Sequence, residues 1–544
     1  MTEAGPYPDE QLVGVAEIAE LAGVTRAAVA NWRARGTRSF PAPAHEGKNG
    51  PVYRLTDVAE WLQRSPKWKG RGTQPLLGVE TALWGAADKL RGSVDPSQYR
   101  HLVLALLFLR RVLSEDGAPA GLVVPDGIQW RSCIADVPAE RMPEAIHGVL
   151  QALEAANDGL RGVLPEIFLN SPIDPRRLRG LVDVITDLAA DEAGIRDQLG
   201  RVYEYFLGRF ASLEGRSGGE FYTPHAVVRI LAEIVEPLQG SLYDPCCGSG
   251  GMFVQSARVR DAHAGRTGRL KIFGQELNRA TWRLAQMNLA LHDLQGDLGT
   301  GPADTFHEDV HAGLKADYVL ANPPFNISDW GVEDLGDDQR WRFGVPPAGN
   351  ANLAWVQHIW AHLSARGRAG IVLANGSLAS DSSAELAIRS GLIAADAVEC
   401  MVALPPQLFY STTIPVTLWF LSKDKKTGDR QGKVLFIDAR SMGEKVTRSH
   451  RDLNDAEISR IVEKYRDWKN GFEDVGEAGF SAVATTGQIE STGWSLVPSR
   501  YIGDADSEEA VESLEELIAV YRALHAEAAL LDEAILTALD EVAS

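Results

Sequence analysis

The sequence is poor in cysteine, with four residues in 544: Cys133, Cys246, Cys247 and Cys400. Their spacing forms neither a disulfide framework nor a metal-binding pattern, so no metal is expected. Cys246 and Cys247 are adjacent in a glycine-rich turn, where small size explains them. No apolar run approaches the roughly 18 residues needed to cross a bilayer, and the N-terminus lacks a signal-peptide core. A cytoplasmic protein without a membrane partner is expected. Positive charge is also short: 54 Lys and Arg against 74 Asp and Glu give a net charge of −20. That excludes a protein that grips nucleic acid chiefly through its own global field.

What remains is ordinary for a globular protein, 45% hydrophobic and 24% charged, in a chain long enough for roughly three or four domains. The charge is uneven. Residues 1–72 carry ten basic and eight acidic residues, whereas residues 503–544 carry twelve acids and one arginine. Residues 12–35 read as two short helices joined at Gly23, with Thr25 as N-cap and Val29 and Trp32 facing inward. Arg26, Asn31, Arg33 and Arg35 are left outward, as in a helix-turn-helix whose second helix enters a major groove. A small β element and a closing helix at 51–62 give it a winged, MerR-like character. A helical pair used for protein contacts is the alternative. A linker at 66–75 leads into a helical region, 76–214, with Leu102 to Leu113 at helical spacing. Arg91, Arg100, Arg110 and Arg111 are candidate backbone contacts there.

From Gly215 the character changes. Glu220-Phe221-Tyr222-Thr223-Pro224-His225 opens a helix over 225–237. Asp244-Pro-Cys-Cys-Gly248-Ser249-Gly250-Gly251 is a strand, a glycine loop and a helix start, in which the backbone can approach a ligand closely. Glu276 ends a second strand about 25 residues on, the spacing at which a carboxylate accepts ribose hydroxyls. The glycines follow an Asp-Pro as GSGG rather than the GxGxxG of dinucleotide sites. That favours an adenosine ligand without pyrophosphate, S-adenosylmethionine. Asp304, in GPADTF, reads as a third strand-end acid, placed for an adenine amine.

Asp317 to Phe325, DYVLANPPF, reads as a buried strand running into Asn322-Pro323-Pro324-Phe325. Two prolines end the strand and remove two backbone donors. Asn322 adds a side-chain acceptor and Phe325 a flat ring. Convergent acceptors beside a stacking platform suit a planar amine, and two of them gripping its N–H bonds raise its nucleophilicity. An ordinary strand-to-loop turn is the alternative. Residues 326–352 form a long loop, read either as a mobile cover over the site or as a structural excursion. From about 507, apolar residues from Leu514 to Ala538 recur at spacings of three and four, a heptad seam for docking on a partner.

Together the motifs EFYTPH (220–225), DPCCGSGG (244–251), FGQELN (273–278), ADTF (303–306), NPPF (322–325) and LPPQLFYSTTIPVTLWFL (404–421) resemble the DNA adenine-N6 methyltransferases. More closely, they resemble the modification subunit of type I restriction-modification systems. LWGAADKLRG (83–92) and LVLALLFLRR (102–111) are similar to that family's helical domain. The resemblance covers about residues 76–544. It implies an α/β fold: a Rossmann-like S-adenosylmethionine-dependent methyltransferase sheet with an N-terminal helical domain, to which this chain adds a small winged helix-turn-helix. The expected domains are 1–70, 76–214, 215–500 for catalysis, and 505–544 for partner docking.

The resemblance further implies that Glu220 to His225 and Gly248 to Gly251 surround the methyl donor, that Asp244 supports its amino-acid end, that Glu276 holds its ribose and that Asp304 faces its adenine. Asn322 and the Pro323 carbonyl hold the target amine, and Phe325, beyond Pro324, stacks on the extruded base. The family often has Arg where this chain has His225. Expected partners are double-stranded DNA, a specificity subunit, a restriction subunit and a second copy of the chain. Cytosine-N4 or protein glutamine methylation, and a DNA-binding regulator without turnover, are the rival functions.

Overall fold

The computed structural model describes residues 12–15, 18, 29, 33, 40–47, 50–54, 57–58, 61, 83, 85, 96–114, 117–170, 173–187, 199, 202–208, 210, 223–263, 268–409, 414–425, 428–445, 451–472, 475–503 and 522. Of the sequence expectations, Arg26, Asn31, Arg35, Arg91, Glu220, Phe221, Tyr222 and all of the heptad segment but Arg522 lie outside these residues.

Near the N-terminus, β1 (Leu12–Gly14), β2 (His45–Gly47) and β3 (Gly50–Arg54) form a small antiparallel sheet in the order β1-β3-β2. The helix expected from residue 12 is therefore a strand at its start: Leu12, Val13 and Gly14 pair with Arg54, Tyr53 and Val52. Val13, Val52 and Tyr53 are residue types that favour strand over helix. Ile18, Val29, Tyr53 and Val58 are fully buried, with Phe40 edge-on to both Tyr53 and Trp61. Arg33 is helical and exposed.

The helical region contains α1 (Pro96–Val112), α2 (Met142–Ala156) and α3 (Pro175–Asp187). Pro96 and Pro175 each start a helix, where a missing N–H costs nothing. Two arginines read as DNA-backbone candidates are part of the core instead. Arg111 is fully buried and donates to the Gly117 carbonyl and to Asp293, and Arg100 is also buried. The Arg111–Asp293 pair spans 182 positions and ties the helical region to the part of the chain that follows it.

The rest of the chain builds one mixed sheet. Its elements in order are α4 (His225–Val235), β4 (Gly240–Asp244), α5 (Gly251–Ala262), β5 (Leu270–Gly274), α6 (Arg279–Leu291), β6 (Gly296–Asp297), β7 (Ala316–Ala321) and α7 (Asn352–His362). Then come β8 (Leu363–Ala374), α8 (Ser383–Ala394), β9 (Val398–Ala403), β10 (Val416–Ser422), β11 (Lys433–Asp438), α9 (Asp455–Lys469) and β14 (Ser481–Thr485), with a two-residue hairpin, β12 (Glu444–Lys445) and β13 (Arg451–Asp452), between β11 and α9. The strand order is β14-β11-β9-β10-β8-β7-β4-β5-β6. Strands β6, β5, β4, β7 and β8 run parallel, and β10 runs antiparallel between β8 and β9. Every residue of β9 and β10 is buried, as expected where both faces are covered by other elements.

Candidate active site

Strand β4 pairs with β5 on one side and β7 on the other. Chain order therefore reverses at β4, and the crevice at the carboxyl ends of β4 and β7 is where such sheets take ligands. Asp244 ends β4, Glu276 lies two residues past β5, and Asn322 directly follows β7. After Asp244 the backbone turns through Gly248 (φ 54°) and Gly250 (φ 78°), a left-handed geometry that a side chain resists. Gly250 is the N-cap of α5. The loop is fastened to the neighbouring strand end: Cys247 N donates to the Gln275 carbonyl at 2.9 Å, and Gly248 N donates to the Glu276 carboxylate at 3.0 Å. The other Glu276 oxygen accepts from Asn278 N at 2.8 Å. A Cβ on Gly248 or Gly251 would meet nothing within 4 Å, which leaves the ligand side of the loop open.

Thr223, His225, Asp244, Gly248, Ser249, Gly251 and Asn322 line one pocket, together with Glu204, Gln255 and Asn288. The sequence reading missed the last three. Gln255 and Asn288 are polar residues on buried helix faces, a detectable anomaly, whereas Glu204 lies in the helical region and has no local signal. Glu204 receives both guanidinium nitrogens of Arg258, at 3.0 and 2.9 Å.

Asp244 is 2% exposed, and burial pushes its carboxyl up to about 7, with the nearby Glu276 charge adding to the effect and the Cys246 amide opposing it. Among the described residues it has no ion-pair partner. His225 is held below the usual imidazole range, first by burial and then by Arg258. Asn322 donates through Nδ2 to Thr223 Oγ1 at 2.8 Å, and its Oδ1 is shielded from solvent with no hydrogen-bond partner among the described residues. Pro323 is buried, while Pro324 and Phe325 are half-buried. The Phe325 ring meets Phe409 edge-on at 6.1 Å. Asn326 (φ 55°) and Asn352 exchange hydrogen bonds, Asn326 N to Asn352 Oδ1 and Asn352 Nδ2 to Asn326 Oδ1, both at 2.9 Å. The turn after Phe325 is thereby clamped to α7.

One expectation needs correction. Asp304 is not at a strand end, since β6 stops at Asp297. It sits in a turn where its Oδ1 accepts from Phe306 N at 2.8 Å and its Oδ2 lies 3.4 Å from His307 Nδ1. The Ala303 amide still docks that turn on the Glu276 carbonyl. Residues 326–352, read as either a cover or an excursion, are a packed excursion: Trp330 and Trp341 are buried with Phe306 and Trp355, and their indole N–H groups donate to Pro347 and Leu335 carbonyls. Asp309, His358 and His362 also cluster closely enough to share a cation. The Arg340 guanidinium donates to His358 Nδ1 at 3.0 Å and His362 Nε2 lies 2.9 Å from Asp309, so hydrogen bonds already occupy the ligand atoms.

An open glycine loop, a buried carboxylate without a cation and an amide oxygen without a donor fit an adenosine ligand with a positively charged tail. With the reversed strand β10, they define an α/β methyltransferase. The family model described as N-6 DNA Methylase matches residues 194–510, and an HsdM N-terminal domain model matches 79–118. The chain belongs to the N-6 DNA methylase family. It is 41% identical over 405 residues to the type I restriction enzyme HindI methylase subunit of Haemophilus influenzae, covering 72% of this chain and 90% of that one. It is 34% identical over 470 residues to the MjaIX methylase subunit of Methanocaldococcus jannaschii, covering 78% and 84%. A type I restriction-modification methyltransferase subunit from Streptococcus thermophilus superposes with a TM-score of 0.66 at 26% identity, over 78% of this chain and 99% of that one.

Proposed function

We propose that the chain is the modification subunit of a type I-like restriction-modification or related defence assembly, and that it methylates N6 of an adenine extruded from double-stranded DNA. The observation that carries this is Asn322 Oδ1, an acceptor without a partner among the described residues, on the wall of the donor pocket. S-adenosylmethionine, the family's cofactor, supplies a methyl group activated on a sulfonium. The protein's part is placement and oriented dipoles. Thr223 takes the Asn322 amide N–H, which leaves Oδ1 to accept one amine N–H. The Pro323 carbonyl accepts the other, and Phe325 stacks on the base. Glu276 is assigned to the ribose and Asp244 to the amino-acid end. Asp304 is assigned to the adenine through the oxygen that its turn leaves toward His307.

A specificity subunit, docked through the heptad segment 505–544, supplies target choice and phosphate grip; a restriction subunit and a second copy of the chain complete the assembly. Arg26, Asn31, Arg33 and Arg35 are assigned to DNA contact, a reading supported by the exposure of Arg33. Asn322→Ala tests the acceptor assignment: methyl transfer from labelled donor to cognate DNA should fall at least about 100-fold, with donor binding unchanged. Transfer that survives the substitution contradicts it.

A further inference from the structure

Helix α6 lies directly under the glycine loop. A Cβ on Gly250 would sit 3.7 Å from Ala285, and three residues on, one helical turn along the same face, is Asn288. Asn288 is fully buried. Its Nδ2 donates to the Ser249 carbonyl at 2.8 Å. Only the NH2 end of an amide can meet a carbonyl, so the orientation is fixed and Oδ1 is the free end. Among the described residues that Oδ1 has no hydrogen-bond partner, and Asn288 lines the same pocket as Asp244 and Asn322.

We infer that Asn288 is a positioning residue of the donor pocket, fixing the glycine loop through Nδ2 and accepting a hydrogen bond from the donor's α-ammonium through Oδ1. This rests on the donor-pocket reading above. Elimination among the acceptors points to the ammonium. Glu276 and Asp304, assigned to ribose and adenine, do not line this pocket. Glu204 is satisfied by Arg258 and His292. Asn322 Oδ1 is turned to the target amine. Asp244, Gln255 and Asn288 are left, of which Asn288 Oδ1 is the buried amide oxygen without a donor among the described residues, and an ammonium is the group on the donor that a carboxylate and an amide oxygen can both receive.

The test is calorimetric titration of the full chain with S-adenosylhomocysteine and with its deaminated analogue, in which hydrogen replaces the α-ammonium. Wild type should prefer the amine-bearing ligand. Asn288→Leu loses both contacts, so it should weaken both ligands through the glycine loop and S-adenosylhomocysteine about 10-fold more than the analogue, and the preference collapses. Asn288→Ser, a smaller change that guards against misfolding and is checked by thermal unfolding, should show the same collapse. Asn288→Asp keeps an acceptor but loses the donor to Ser249, so it should weaken both ligands and retain the preference. Equal losses for both ligands in the Leu and Ser variants, or no loss, would overturn the assignment. A wild-type chain that binds neither ligand would instead overturn the donor-pocket reading itself.

Discussion

Asp244 is the residue whose chemistry is most sensitive to conditions. Its carboxyl titrates near 7 in the folded chain because burial penalises the charge, against about 3.9 when unfolded. The folded state therefore holds the extra proton between those values. This contribution to stability is whole below the unfolded value and is lost as pH rises through about 7. A donor whose ammonium pairs with the carboxylate reverses that cost and expels the proton. At pH 6, donor binding should release about one proton, and at pH 8 almost none, read by calorimetry in buffers of different ionisation enthalpy. Asp244→Asn should flatten the profile; a profile unchanged by that substitution would remove Asp244 from the donor site. Thr223 acts at one remove, by turning Asn322. Thr223→Val should lower kcat about 5- to 10-fold, the worth of one hydrogen bond, with little change in KM for the donor. An equal fall in donor affinity would assign Thr223 to the donor instead.

At the scale of elements, the long segment after Phe325 is a folded platform rather than a mobile cover. Trp330, Trp341, Trp355 and Phe306 pack on one another, and Asn326 and Asn352 pin the entrance. Amides of residues 326–352 should exchange slowly without ligands. Trp341→Ala should cost about 3–5 kcal/mol of local stability and release that protection; rapid exchange in the wild type would contradict the packed arrangement. Elements with strong local signals were legible in the sequence. Asp-Pro before GSGG marked β4 and its loop, and Asn-Pro-Pro marked the end of β7, because proline and glycine fix backbone geometry locally. What was not legible depended on distant partners. Asp304 was read as a strand end, although β6 closes after two residues and the acid caps its own turn. Arg111 looked like a surface base until Asp293, 182 positions away, buried it. Leu12 to Gly14 looked helical because the pattern of its own segment does not show β3.

For the whole molecule, the charge of −20 sets how DNA is held. The chain alone should bind DNA weakly and with a shallow dependence of log K on log salt. Addition of the specificity subunit should steepen that slope by about 0.9 for each phosphate newly neutralised. An unchanged slope would place the phosphate contacts on this chain. Among the described residues no helix is long and apolar enough to cross a membrane. The central claim is the identity of the acceptor. The assembled complex, given labelled S-adenosylmethionine and cognate duplex, should yield N6-methyladenine as the sole labelled nucleoside by mass spectrometry, at a rate at least about 100-fold lower when Asn322 is alanine. Label on cytosine N4, or N6-methyladenine formed at an undiminished rate by the Asn322→Ala chain, would contradict the account.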